Sequence, residues 1–350
     1  KELVQKAHER GMKVVLDAVY NHTGREFFAF ADILENGEKS KYRDWYFIDG
    51  FPLKSEWGEI PNFKCFGYYG GMPKLNLKNP EVEKYITDVA CYWIKECDID
   101  GWRLDVGDEI SHFFWKNFRK AVKAVKKDML IIGEIWHYAG DFLEGDEWDT
   151  VMNYPFYLNL IDLLADEKIT VSQFVQNLGY LKGRLHKNCY PLMWNLIDSH
   201  DTARFLHLCN DNKKKQHLAA AFQLLLPGMP MIYYGDEYAM PGANDPDCRR
   251  GMYWDEEYQD KEMYEWYKRL IQVRKSHACI VEGELAGSVT EDEEGTVVLI
   301  RKNGEETIAM IFNCSSSAKK FNEYTQKYNL LTENTFDGNV EGFDAAVIVL

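Results

Sequence analysis

The run Gly101-Trp102-Arg103-Leu104-Asp105-Val106 constrains this chain more than any other stretch. Arg103 and Asp105 stand two positions apart, so on a strand they point to the same side. A cation and a carboxylate aimed into one space are costly to bury unless they are paired. Taken alone, the pattern suits a structural ion pair at a strand end as well as it suits a catalytic site. Its recurrence decides between them. Val14-Val15-Leu16-Asp17, Ile131-Ile132-Gly133-Glu134 and Trp194-Asn195-Leu196-Ile197-Asp198 are also short apolar runs that end in an acid, and segments of helical period lie between them. Strands that alternate with helices and carry acids at their carboxyl ends describe an α/β fold, a (β/α)8 TIM barrel with its active site on the top face.

The order of elements follows from the same periods. Residues 1–13 read as an amphipathic helix with Leu3, Val4, Ala7 and His8 on one face, and a strand follows over 13–19. After it, residues 23–79 are rich in aromatics, Gly and Pro and too long for an ordinary loop, so a subdomain is expected after this third barrel strand. Asn79-Pro80 then caps a helix whose buried stripe is Val82, Tyr85, Ile86, Val89, Trp93, Ile94 and Cys97. The last barrel strand is expected over 231–234. Six such strands are counted, so the first two of eight are expected to be missing, with the chain starting partway through a barrel. From Leu285 the period changes to two, which predicts an antiparallel β domain. The expected division is a partial catalytic barrel over 1–284 and a C-terminal β-sandwich over 285–350.

Composition narrows the partners. A net charge of -15 argues against nucleic acid or an anionic membrane, since both require basic patches. No apolar run approaches the length needed to span a bilayer. The eight Cys lack a CxxC pair or a regular framework, which suits reduced thiols and a cytoplasmic location. The ten Trp and twenty-one Tyr suit a large core first and sugar faces second.

Asp105, Glu134 and Asp201 each end a different strand, so a barrel would let them converge. Paired carboxylates serve glycoside hydrolysis: one attacks the sugar C1 and the other protonates the leaving oxygen. Arg103 is expected to favour the ionised form of Asp105, while Glu134, followed by Ile135 and Trp136, is expected in a more apolar setting that keeps its proton. Three acids with His22 and His200 could instead hold a divalent metal, although an adjacent Arg disfavours a cation site.

Asp17-Ala18-Val19-Tyr20-Asn21-His22, Gly101-Trp102-Arg103-Leu104-Asp105, Gly133-Glu134-Ile135-Trp136-His137 and Asp198-Ser199-His200-Asp201 resemble, in order, the four signature segments of the α-amylase family of glycoside hydrolases. Met72-Pro73-Lys74-Leu75-Asn76, Tyr233-Tyr234-Gly235-Asp236-Glu237 and Asn244-Asp245-Pro246-Asp247-Cys248-Arg249-Arg250 resemble its neopullulanase, cyclomaltodextrinase and maltogenic amylase branch. The resemblance implies a retaining mechanism on α-1,4-glucosidic bonds of cyclodextrins, pullulan, starch or maltooligosaccharides. Asp105 would be the nucleophile, Glu134 the acid/base and Asp201 the holder of sugar hydroxyls. Arg103, His22 and His200 would position sugar and acids, with Asp17 orienting Arg103. Trp136, His137, Asp245 and Arg249 would serve outer subsites, and Glu109 the leaving-group side.

The chain departs from calcium-dependent relatives, which carry Lys and His where it has Asp108 and Glu109. No cofactor is therefore expected to be required, with a structural calcium at Asn21 as the alternative. The branch also implies an N-terminal β domain, absent here, through which the parent protein would form a homodimer. A transglycosylase would share every one of these residues. A non-catalytic sugar-binding barrel would typically have lost one of the three acids, and all three are present.

Overall fold

The structure, a computed structural model, describes residues 1–54 and 58–350; residues 55–57, inside the expected 23–79 excursion, lie outside the described residues. The chain divides into two compact units. The first comprises Lys1–Ile135 and Ala139–Met152, the second Trp136–Tyr138 and Asn153–Leu350.

In the first unit, helix α1 (Glu2–His8) leads into β1 (Val15–Ala18). The helix is shorter than its 1–13 pattern predicts, because the chain turns at Gly11, whose φ of 71° lies in the left-handed region. Its expected apolar face is only partly used: Val4 is buried, but Leu3 is 73% exposed. Helix α2 (Phe28–Asn36) lies within the long excursion and buries Ala29, Phe30 and Ile33. Helix α3 (Pro80–Cys97) starts as predicted, with the Asn79 side chain accepting the Glu81 N–H and Pro80 in the first turn. Its buried stripe is Val82, Ile86, Ala90 and Ile94. Trp93, assigned to that stripe, is instead exposed and meets Tyr92 edge to face. Strand β2 (Gly101–Leu104) is buried throughout, and helix α4 (His112–Val125), capped by Ser111, packs Phe114, Trp115, Phe118 and Val122 inward. Strands β3 (Leu130–Gly133) and β4 (Thr150–Val151) complete a parallel sheet in the order β1-β2-β3-β4.

In the second unit, helices α5 (Tyr154–Leu160) and α6 (Val171–Arg184) precede β5 (Trp194–Asn195), and the short α7 (Phe205–Leu208) leads to α8 (Lys213–Leu225). Strand β6 (Met229–Pro230) pairs in parallel with β5. This pairing begins two residues before the predicted 231–234, because the N–H groups of Met229 and Met231, on either side of donorless Pro230, bond to Met193 and Asn195 of the β5 segment. All six expected parallel strands are therefore present. Among the described residues, β1 and β6 each have a single strand partner. Val19, the residue after β1, and Met229 on β6 are each 45% exposed.

Helix α9 (Lys261–Ser276), capped by Asp260, precedes the antiparallel strands β7 (Glu284–Glu291), β8 (Thr296–Asn303) and β9 (Glu306–Asn313). With β11 (Tyr328–Asn329), β12 (Asn334–Thr335) and β14 (Asp344–Val349) they form a six-stranded sheet, and β10 (Lys319–Lys320) pairs with β13 (Asn339–Val340). The period of two sorts its residues. Val297, Leu299, Met310 and Phe312 join a core with Phe174 and Phe222, while Val298, Ala309 and Ile311 pack on Phe321, Phe336 and Val340. Among the described residues, no helix is long and apolar enough to cross a membrane.

Candidate active site

Strand register assembles the first cluster. Asp17 on β1 stands opposite Arg103 on β2, and Leu104 stands opposite Gly133 on β3. The ladder continues past the strands, with Asp105 N–H donating to Ala18 and Glu134 N–H to Leu104. Asp105 and Glu134 thus follow the carboxyl ends of adjacent strands. Arg103, 9% exposed, serves both: Nη1 is 2.8 Å from Asp105 Oδ1 and 2.8 Å from Asp17 Oδ1, and Nη2 is 3.0 Å from Glu134 Oε2. Burying that guanidinium is tolerable because three carboxylates surround it.

A backbone contact completes the cluster. Val106 adopts φ 47°, ψ 43°, a left-handed conformation that a β-branched residue avoids. The turn aims its N–H at Glu134 Oε2, 2.9 Å away. Strain of this kind costs about 1–3 kcal/mol and is held by the surrounding structure. Where a more apolar setting was expected, Glu134 Oε2 thus accepts one backbone N–H and lies in an ion pair with Arg103. At Asp105, Arg103 favours the ionised form as expected but is outweighed. Burial pushes its carboxyl above the usual range; Arg103 opposes this, and the charge of Glu134 adds to it. One guanidinium shared among three acids does not outweigh the lost water.

A second group lies in the same unit. Glu109 Oε2 is 2.6 Å from Lys74 Nζ and accepts the Asn21 amide N–H at 3.2 Å. His22 stacks on Phe66 with ring centroids 5.2 Å apart. Burial lowers its pKa, Glu109 acting against and Lys74 with that shift. Asn21 Oδ1 is buried without a partner, so it offers one oxygen to a cation. Calcium prefers six to eight oxygens. The nearest carboxylate is committed to an ammonium group, and no group of three or more His, Cys, Asp or Glu suited to a metal occurs among the described residues. This donor set does not fit calcium.

The second unit gathers the remaining candidates in two places. Asp201 receives His200 Nε2 at 3.2 Å and Arg249 Nη2 at 3.3 Å, and Arg249 Nε is 2.7 Å from Asp245. The predicted outer residue Arg249 is thus tied directly to the predicted sugar holder, and Asp245 reaches it through Arg249. Trp136 and His137 belong elsewhere, on the wall of a cavity of about 410 Å3 that Tyr138, Leu158, Tyr180 and Arg184 also line. Trp136 stacks on Tyr154, ring centroids 4.0 Å apart and planes 14° apart. Sequence reasoning did not assign Lys74, Val106 or Tyr154 to the site. Lys74 lies inside the quoted Met72–Asn76 segment, whereas a backbone N–H such as that of Val106 leaves no side-chain signal.

Residues 1–283 match the protein family described as "Alpha amylase, catalytic domain". The chain is 46% identical over 318 residues to a cyclomaltodextrinase of Geobacillus thermopakistaniensis (strain MAS1), an alignment covering 91% of this chain and 54% of that relative. It is 42% identical over 314 residues to neopullulanase 2 of Thermoactinomyces vulgaris, covering 89% and 53% respectively. Among solved structures, a cyclomaltodextrinase superimposes with a TM-score of 0.94 at 37% identity, covering 99% of this chain and 62% of that one. The chain spans about half the length of the curated relatives it matches.

Proposed function

Because the chain belongs to the α-amylase catalytic-domain family, we propose that the protein is a retaining glycoside hydrolase of α-1,4-glucosidic bonds in cyclodextrins, pullulan, starch or maltooligosaccharides. One observation carries this reading: a single buried guanidinium, Arg103, grips Asp105 and Glu134 at the ends of adjacent strands. Glycoside hydrolysis needs two carboxyl groups held in fixed relation, with different proton affinities.

In the proposed first step Asp105 attacks C1 of the sugar. The bond from C1 to the glycosidic oxygen breaks, and that oxygen leaves with a proton from Glu134. In the second step Glu134 takes a proton from water, the water oxygen bonds to C1, and the bond to Asp105 breaks. Arg103 holds both carboxyl groups throughout. Asp201, fixed by His200 and Arg249, accepts sugar hydroxyls and strengthens those bonds as the ring distorts. The residues are those of a transglycosylase as well, and the acceptor that wins the second step separates the two outcomes.

The test is to incubate the full-length protein with each glucan and follow the newly formed reducing end by NMR. The α-anomer should appear first. Initial release of the β-anomer would rule out the double displacement, and absence of turnover on every α-glucan would rule out the reading as a whole.

A further inference from the structure

Beneath the His200–Asp201 turn lies a charge cluster that the proposed chemistry does not use. Asp198, Arg204 and Asp236 are all fully buried. Arg204 Nη1 donates to Tyr234 O at 2.8 Å and lies 3.1 Å from Asp236 Oδ1, with its guanidinium over the Tyr233 and Tyr234 rings. Asp198 Oδ2 accepts the Phe205 N–H at 2.7 Å. Asp198 Oδ1 and Asp236 Oδ2 are buried and receive no donor from the rest of the protein, and the two carboxyl groups lie close enough to act on one another.

Two ionised carboxylates have only lone pairs to offer each other, so such a contact requires a proton. The charge count agrees, because one buried cation balances one carboxylate and leaves the other uncompensated. The other titratable groups around the pair do not supply a second cation. Glu237 spends Oε2 on the Gly235 N–H, and Tyr267 of α9 and Tyr157 of α5 act on the pair as neutral phenols. Gln216 of α8 donates to the Asp236 carbonyl.

We propose that Asp198 and Asp236 hold one proton between them, and that this bridged pair, balanced by Arg204, positions the His200–Asp201 turn. The inference rests on the reading of Asp201 as the holder of sugar hydroxyls. Its physical route is short. Asp198 reaches forward to the Phe205 N–H and so closes the segment that contains His200 and Asp201. Within it, Ser199 N–H bonds Thr202 Oγ1 and Asp201 N–H bonds Ser199 Oγ. Arg204 N–H bonds Gly242 O, and at Gly242 a Cβ would stand 2.9 Å from Cys248 Cα. Cys248 Sγ in turn donates to His200 O, and the next residue is the Arg249 that holds Asp201. Asp236 is therefore a positioning residue, acting through Asp198 on the turn.

The experiment uses D236N in the full-length protein. Asn supplies a permanent N–H where the wild type has the shared proton and leaves the net charge of the cluster unchanged. D236N should keep kcat/KM on cyclodextrin within about threefold of wild type, while D236L, which removes the group facing Asp198 Oδ1, should lower it at least about tenfold. A raised carboxyl pKa contributes stability that is complete below the unfolded value and is lost as pH rises through the folded one. The wild-type melting temperature should therefore carry a pH-dependent decline that D236N lacks. Infrared difference spectra of wild type against D236N at neutral pH should show one protonated buried carboxyl band that D236N lacks, separate from any Glu134 band common to both. Absence of that band in wild type would overturn the proposal, as would a folded D236N as inactive as D201N. Should D236L fail to fold, D236N and the infrared band still decide. If the wild-type protein hydrolyses no glucan, the functional reading fails, while the band and the melting profile still test the shared proton.

Discussion

Arg103 and Glu134 meet across adjacent parallel strands, with guanidinium Nη2 3.0 Å from Oε2. The same guanidinium holds Asp105 through Nη1, so the two proposed catalytic acids share a cation, and burial raises the pKa of Asp105 with the Glu134 charge adding to it.

Replacing Asp105 with Asn should lower kcat by several orders of magnitude while substrate affinity stays within a few-fold, because the nucleophile acts after the sugar has docked. Titration calorimetry with a maltooligosaccharide, together with steady-state rates, checks both halves. A kcat near that of wild type would exclude Asp105 as the nucleophile.

The acid limb of the pH–rate profile should lie above the ordinary Asp value of about 3.9, because Asp105 must be ionised to attack and burial raises its pKa. Arg103 opposes that rise. Arg103→Met should accordingly move the limb to still higher pH and lower kcat by about 10²-fold. An unmoved limb, or one displaced to lower pH, would contradict this assignment.

Gly133 immediately precedes Glu134, and a Cβ placed there would overlap the Trp148 ring. Gly133→Ala should therefore destabilise the protein by about 1–3 kcal/mol, the usual effect of overpacking a filled core. Thermal unfolding of the full-length protein measures it, and an unchanged melting temperature would mean that Trp148 can move aside.

Glu109 is held by Lys74 and Asn21 rather than left open to a cation. Activity and melting temperature should be indifferent to a calcium chelator. Loss of either on chelation, restored by calcium alone, would show a site that these residues do not describe.

Much of the fold is written in local pattern. Apolar runs that end in Asp17, Asp105, Glu134 and Asp198 mark strands, because strand period and burial act on neighbouring residues. Asn79-Pro80 marks a helix start for the same reason, and the two-residue alternation of 297–299 and 308–312 sorts the two faces of the terminal sheet. The weaker readings fall where local pattern meets no partner. Leu3 and Trp93 have the spacing of buried residues but are exposed, and the ladder of β6 begins on either side of a proline that cannot donate.

The identities of the candidate acids were likewise carried by the sequence, in acid-ended strands and in segments that resemble a family. Their chemical state was decided only by the tertiary structure. Arg103 beside Asp105 suggests an easily ionised carboxyl, yet Asp17 and Glu134, distant in the chain, claim the same guanidinium, and burial has the larger effect. The Val106 N–H at Glu134, the Lys74 ammonium at Glu109 and the meeting of Asp198 with Asp236 join residues 28 or more positions apart. Periodicity reports which face of an element is buried. It is silent on which distant group arrives there and on how much water is excluded, and those two quantities set where a proton resides.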